Sequence, residues 1–253
     1  MGKIDDIQAY KEWTEYHRSL KRDKAADNLS PVERKKKLEK LEANVIEWIL
    51  FFFSEFAKYP FTKFHKKAIK RITTNMEWYE VLSWSRELAK STIVFMCMMY
   101  LVLTGKKKNV LLISNSHENA VRLLEPYKKA FESNSMLKAY YGDLREFGSW
   151  TADEFTLTTG ATFRAIGALE SPRGTRKDAV RPDTALVDDF DTDADCRNPD
   201  ILKKKWEWFE EALFPTRSIS EDLLVIFCGN LIALDCCVKR AGDKADHWDI
   251  VNI

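Results

Sequence analysis

Trp78-Tyr79-Glu80-Val81-Leu82-Ser83-Trp84 runs directly into Ser85-Arg86-Glu87-Leu88-Ala89-Lys90-Ser91-Thr92, and the join between the two decides the fold. The first half is aromatic and partly alternating, the pattern of a strand. Beyond Thr92, the run from Ile93 to Leu103 is apolar on every side, as a helix buried all round must be. A strand, a short polar loop and a helix N-terminus in that order present backbone N–H groups and the positive end of a helix dipole to an anion. In phosphate-binding loops of this kind a lysine reaches the β/γ-phosphates and the next hydroxyl holds Mg²⁺. The common form is G-x-x-x-x-G-K-[ST]; here Trp84 and Ala89 stand at the two glycine positions. The apolar run is too short to cross a bilayer and ends in charged residues, which rejects a membrane span.

The rest of the chain supplies the other half of such a site. Val110-Leu111-Leu112-Ile113-Ser114 is a continuous apolar run suited to a strand covered on both faces. Residues 115–133 read as a helix, with Val121, Leu124, Tyr127 and Phe131 near one face. Phe155–Thr158 and Thr162–Ile166 flank Thr159-Gly160-Ala161, which predicts a hairpin. Thr184-Ala185-Leu186-Val187 is a short strand that delivers two carboxylates, Asp188 and Asp189. A helix follows around Ile201–Leu213, then a buried strand, Leu223–Phe227, ending at Cys228-Gly229-Asn230. Strands alternating with helices predict an α/β fold with a mainly parallel central sheet flanked by helices. Ligands of such sheets bind at the carboxyl ends of the strands, where the loop and the acidic pair both fall.

These segments, taken in order, resemble the ATPase motor domain of the large terminase subunit of tailed bacteriophages, over roughly residues 61–248. Ser85-Arg86-Glu87-Leu88-Ala89-Lys90-Ser91 is similar to the family's phosphate loop, with Glu87 for Gln and Ala89 for Gly. Ser171-Pro172-Arg173-Gly174-Thr175-Arg176, Arg181-Pro182-Asp183 and Asp188-Asp189 resemble the stretch before and through its acidic motif. Val225–Ile232 is similar to its coupling motif. The resemblance implies a RecA-like, ASCE-type P-loop NTPase that binds ATP and Mg²⁺ and hydrolyses ATP to package double-stranded viral DNA into a procapsid. Lys90 would neutralise the β/γ-phosphates, and Ser91, with Thr92 beside it, would ligate Mg²⁺ together with Asp188. Asp189 stands where the family carries the glutamate that polarises the attacking water. Arg86 would bridge to the γ-phosphate or to a moving subdomain, and Arg173 would act on a neighbouring subunit's nucleotide, with Arg176 as a rival. Gly229 and Asn230 would couple γ-phosphate loss to the DNA-gripping elements. Phe64-His65 falls where relatives carry an aromatic-Gln pair near the adenine. The implied partners are duplex DNA, the portal protein, the small terminase subunit and further copies of the chain in a ring, in the host cytoplasm and docked on the procapsid. Two alternatives remain: another DNA-dependent motor such as a helicase, and a nucleotide-binding assembly factor without turnover.

Composition discriminates little. The 253 residues carry a net charge of +1, so no broad electropositive field is expected to hold DNA statically. The five cysteines show no C-x-x-C pair, which leaves zinc unsupported, and the polar, charged start of the chain is unlike a secretory signal. Residues 1–60 read as a helical segment and 61–253 as the ATPase core. Ser30-Pro31-Val32-Glu33 opens a helix through a capping box, and Leu38, Leu41, Val45, Trp48, Ile49, Phe52 and Phe56 recur at helical spacing. The chain ends at Ile253, where family members continue into a nuclease domain, so no DNA cutting is expected of it.

Overall fold

Apolar runs such as Val110–Ile113 need cover on both faces. The computed structural model, which describes residues 29–57, 59–171, 181–213 and 222–252, gives it to them. The order of elements is α1 (Pro31–Glu42), α2 (Val45–Phe52), α3 (Lys63–Thr74), β1 (Trp78–Trp84), α4 (Lys90–Leu103), β2 (Asn109–Ser114), α5 (His117–Ser133) and α6 (Ser135–Tyr141). Then come β3 (Arg145–Trp150), β4 (Glu154–Leu157), β5 (Thr162–Gly167), β6 (Thr184–Asp188), α7 (Asp193–Cys196) and α8 (Pro199–Glu207), which continues as a π-helical turn over Trp208–Leu213. The last are β7 (Leu224–Cys228), α9 (Cys237–Gly242) and β8 (His247–Val251).

Among the described residues the strands form one eight-stranded sheet in the order β3-β4-β5-β2-β6-β7-β1-β8. The pairs from β5 through to β8 are parallel, while β4 joins β5 antiparallel as the expected hairpin, and β3 adds antiparallel at the edge. Successive side chains on a strand face opposite ways, and the core divides accordingly. Leu82, Leu112, Leu186 and Ile226 pack on the side of α2 to α6, whereas Val81, Ile113, Val187 and Phe227 pack against Phe190, Leu202, Phe209 and Val238. Along α4 every residue from Ile93 to Val102 is buried.

Three features differ from the sequence expectation. The apolar stripe from Leu38 to Phe56 is two helices, because Asn44 caps α2: its Oδ1 accepts from the Glu47 amide at 3.4 Å, and the preceding chain turns. The capping box at Ser30 and Glu33 forms as expected. Both helices join the main core, with Trp48, Phe52 and Phe53 buried, Trp48 Nε1 donating to Tyr141 OH at 2.8 Å, and Tyr100 OH donating to the Glu42 carbonyl at 2.7 Å. The expected helix from Ile201 to Leu213 is α8 plus the π-helical turn, which carries Phe209 into the second core. β3, α6, α9 and β8 had no counterpart in the sequence reading; β3 is an exposed edge and β8 mixes His, Trp, Asp, Ile and Val without an apolar run. No described helix is long and apolar enough to cross a membrane.

One buried cation fastens the sheet at the end opposite the phosphate loop. Lys107 Nζ donates to the carbonyls of Met76 (2.9 Å), Asp183 (3.1 Å) and Asp222 (2.8 Å), the residues at the entries to β1, β6 and β7. The Asp183 carboxylate accepts from the amides of Lys108 at 2.6 Å and Asn109 at 3.1 Å, which adds β2 to the same clasp. Lys107→Met should remove the donor from three carbonyls, the Asp183 one buried, and at about 1 kcal/mol each the loss is about 3 kcal/mol. Urea unfolding followed by far-UV circular dichroism checks this; an unchanged midpoint would contradict the clasp.

Candidate functional site

The loop between β1 and α4 keeps a glycine-like backbone without glycine. Glu87 has φ 70° and Ala89 φ 56°, both left-handed, a conformation that costs a non-glycine residue roughly 1–2 kcal/mol. Ala89 occupies the N-cap of α4 and its carbonyl accepts from the Ile93 amide at 2.9 Å, so the turn it makes delivers Lys90 into the first helical position. The Ser85 amide is tied to the Val251 carbonyl at 2.8 Å, which fixes the start of the loop to the end of β8. Lys90 Nζ reaches Asn230 Oδ1 at 3.3 Å and the Trp84 carbonyl at 3.5 Å.

The acidic strand arrives two strands away. Leu82 of β1, Cys228 of β7 and Asp188 of β6 are level across the sheet, with β7 between the other two. Ser91, in the first turn of α4, spans the gap, and its Oγ donates to Asp188 Oδ2 at 2.6 Å. Burial pushes the Asp188 carboxyl up to about 6; the neighbouring Asp189 charge adds to the rise, while the Ser91 hydroxyl, Lys90 and the Asp189 amide work against it. Asp189 itself is exposed and left-handed, with φ 46°. The Asn115 amide at 3.3 Å and the Ser114 hydroxyl at 3.5 Å both donate to its carbonyl. Residues 85–92, Asp188, Asp189 and Asn230 line one cleft of about 480 Å³.

The structure therefore brings Ser85, Arg86, Glu87, Leu88, Ala89, Lys90, Ser91, Thr92, Asp188, Asp189 and Asn230 together. Arg86 is exposed at the rim. Gly229 sits beneath Asn230 where the backbone passes Val238 so closely that an added Cβ would meet its Cγ2 at 2.2 Å. Phe64 and His65 stand behind the loop: Phe64 packs edge-on against Trp84 with centroids 4.9 Å apart, and His65 Nε2 lies 3.0 Å from the Leu88 carbonyl. Pro172, Arg173, Gly174 and Arg176 lie outside the described residues. Ser114 and Asn115, which shape the Asp189 backbone, escaped the sequence reading; two polar residues closing the apolar run of β2 were the available signal.

Other concavities carry less chemistry. A groove of about 1490 Å³ between α2, α5 and α6 is larger than the cleft, and its lining includes Phe52, Phe56, Lys128, Lys129, Glu125 and Glu132. Glu80, His247 and Asp249 approach one another closely enough to share a cation. Arg71 already fills that place, donating to Glu80 and to Asp249 at 2.6 Å each. Ser91 and Asp188 in the cleft are hard oxygen donors of the type Mg²⁺ takes, with a buried negative charge in need of a cation.

No protein-family model and no curated protein matches the chain. Solved structures do. The large terminase of bacteriophage HK97 is 14% identical over 68% of this chain, with a TM-score of 0.45, and the match spans 33% of that protein. The large-terminase ATPase domain of Thermus phage P74-26 matches at 16% identity and TM-score 0.44, over 70% of this chain and 67% of that one. An arginine-to-alanine mutant of the same domain matches at 16% and 0.49, over 73% and 70%. The chain is thus similar in structure to phage large-terminase ATPase domains over about 70% of its length, a likeness of backbone course.

The Asp188 carboxyl generates a pH prediction. Its folded value, about 6, lies above the ordinary 3.8, so the folded state binds the extra proton between them. Stability contributed by this group must fall as pH rises from 4 to 6, and the full penalty stands above pH 6. Asp188→Asn should stabilise the metal-free protein at pH 8 by on the order of 2–3 kcal/mol and by nothing at pH 4. Urea midpoints at the two pH values check the sign; destabilisation at pH 8 would contradict it.

Proposed function

We propose that the chain is an ATP hydrolase of the RecA-like, ASCE-type P-loop class, using Mg²⁺, and that it drives packaging of double-stranded viral DNA into a procapsid. The observation that carries the reading is the 2.6 Å contact of Ser91 Oγ with Asp188 Oδ2, made between the first turn of the loop's helix and the end of a strand two places away. A hydroxyl and a carboxylate meeting there, beside a lysine and a loop of backbone amides, form the donor set that phosphoryl transfer needs.

In this reading Lys90 leaves Asn230 and the Trp84 carbonyl to neutralise the β/γ-phosphates. Ser91 and Asp188 would hold Mg²⁺, which would supply further neutralisation of phosphate charge. Asp189, exposed at the cleft, orients the attacking water and accepts its proton. Asn230 exchanges Lys90 for the terminal phosphate, which gives the end of β7 a way to register hydrolysis. Arg86 stands at the γ-phosphate end, and Arg173 is the proposed finger from a neighbouring copy. The DNA substrate, the ring of copies and the docking of portal protein and small terminase subunit in the host cytoplasm rest on the sequence resemblance through Ser85–Ser91, Asp188-Asp189 and Val225–Ile232. A second reading, nucleotide binding without turnover, is favoured by the two left-handed non-glycine residues of the loop.

Phosphate release measured with and without duplex DNA separates them. The wild type should hydrolyse ATP faster with DNA, and Lys90→Ala should lose both binding and turnover. Asp189→Asn should keep Mg·ATP bound while the rate falls by about a hundredfold or more. Nucleotide binding without release in the wild type would favour the second reading, and unchanged turnover in Lys90→Ala would overturn the first. In mixed rings, Lys90→Ala copies should partly restore Arg173→Ala copies; no recovery with rings confirmed by scattering would place the finger elsewhere.

A further inference from the structure

His65 is held at both ring nitrogens. The Thr62 amide donates to Nδ1 at 3.3 Å, and an amide can only donate, so Nδ1 is the bare nitrogen and the ring proton sits on Nε2. Nε2–H then donates to the Leu88 carbonyl at 3.0 Å. The ring cannot swing away: it packs against Phe64 with centroids 4.1 Å apart and against Trp84 at 5.4 Å, and Thr62 Oγ1 lies 3.1 Å from Nδ1. Burial lowers its pKa, which keeps the ring in this neutral form.

Leu88 is the residue between the two left-handed positions, Glu87 and Ala89. In a trans peptide the C=O and the following N–H point opposite ways. A Leu88 carbonyl drawn toward α3 therefore turns the Ala89 amide away from His65. His65 stands behind the loop, and Leu88 and Ala89 line the cleft in front of it. The side chain of Leu88 packs on the main core, so the peptide is gripped at its carbonyl and its side chain together.

We propose that His65 is the positioning residue of the phosphate loop: its bond to the Leu88 carbonyl holds the Leu88–Ala89 peptide with its N–H toward the phosphates and stands in for the conformational freedom of the missing glycine. The role rests on the nucleotide-binding reading above. It differs from a contact with adenine, because both ring nitrogens are already engaged.

The test is the affinity for Mg·ATP, measured by fluorescent-nucleotide titration, of His65→Ala, His65→Gln, Ala89→Gly and the double variants. His65→Ala should weaken binding about tenfold, the worth of one hydrogen bond. His65→Gln, whose carboxamide offers an acceptor and a donor at similar reach, should recover most of it. Glycine enters the left-handed region freely, so in the Ala89→Gly background the same His65→Ala change should cost less than about threefold. An equal loss in both backgrounds would overturn the proposal and leave His65 as a helix cap only. If His65→Ala does not fold, His65→Glu takes its place: it rebuilds a Thr-x-x-Glu capping box but offers Leu88 no donor. Comparing its loss across the two backgrounds cancels the direct effect of its charge. A wild type that binds no nucleotide would defeat the nucleotide reading itself, whereas a wild type that binds with a background-independent His65 effect defeats only this inference.

Discussion

One strand, β7, lies between β1 and β6, and all three run parallel with Leu82, Cys228 and Asp188 level. Everything at the cleft depends on that spacing. Two strand intervals amount to about 10 Å, too far for a loop residue at the end of β1 to touch a carboxylate at the end of β6. A side chain one turn into the following helix can cross the distance, and Ser91 does. The intervening strand meanwhile delivers Asn230 to Lys90, so three strand ends converge on one volume. The Lys107 clasp at the opposite end keeps the same strands aligned, because β1, β6 and β7 each give it a carbonyl.

The geometry is maintained against local cost. Asp188 is a buried carboxylate whose pKa is driven up by burial first and by Asp189 second. Glu87, Ala89 and Asp189 all hold left-handed backbone without being glycine. Backbone strain and a buried charge concentrated at one cleft persist only where the surrounding structure over-determines them. Here the neighbours that do so are named: His65 at Leu88, Val251 at Ser85, and Ser114 with Asn115 at Asp189. A ligand bringing a cation to Asp188 and anions to the loop amides would relieve both costs at once.

The sheet centre was legible because β2, β6 and β7 are buried along their length and read as short apolar runs, and β1 as an aromatic, partly alternating one; the four fall within a residue or so of their expected bounds. That the loop with Lys90 and Ser91 faces Asp188 and Asp189 at the strand ends was legible from the order of the segments, and Asn230 entered through the resemblance; all of them line one cleft. Elements without such a signal were not. β8 is amphipathic and short, and its membership is decided by pairing with β1 rather than by its own pattern. β3 has an exposed, polar sequence that gains strand form only from β4. The break at Asn44 was hidden because the apolar stripe continues through it, while the cap that ends one helix and starts the next is a single polar residue. His65 carried the opposite lesson: the position was noticed, but its hydrogen bonds depend on the fold bringing α3 behind the loop.

The central claim is that the Ser91–Asp188 contact marks where a divalent cation and the phosphates of a nucleotide meet. The most direct measurement is calorimetric titration of a non-hydrolysable ATP analogue into the wild type and into Asp188→Asn, each with Mg²⁺ and with EDTA. The account predicts that Mg²⁺ tightens binding by about tenfold or more in the wild type, equivalent to at least about 1.4 kcal/mol, and that this gain disappears in Asp188→Asn. An equal Mg²⁺ effect in both proteins, or no binding to the wild type under either condition, would contradict it.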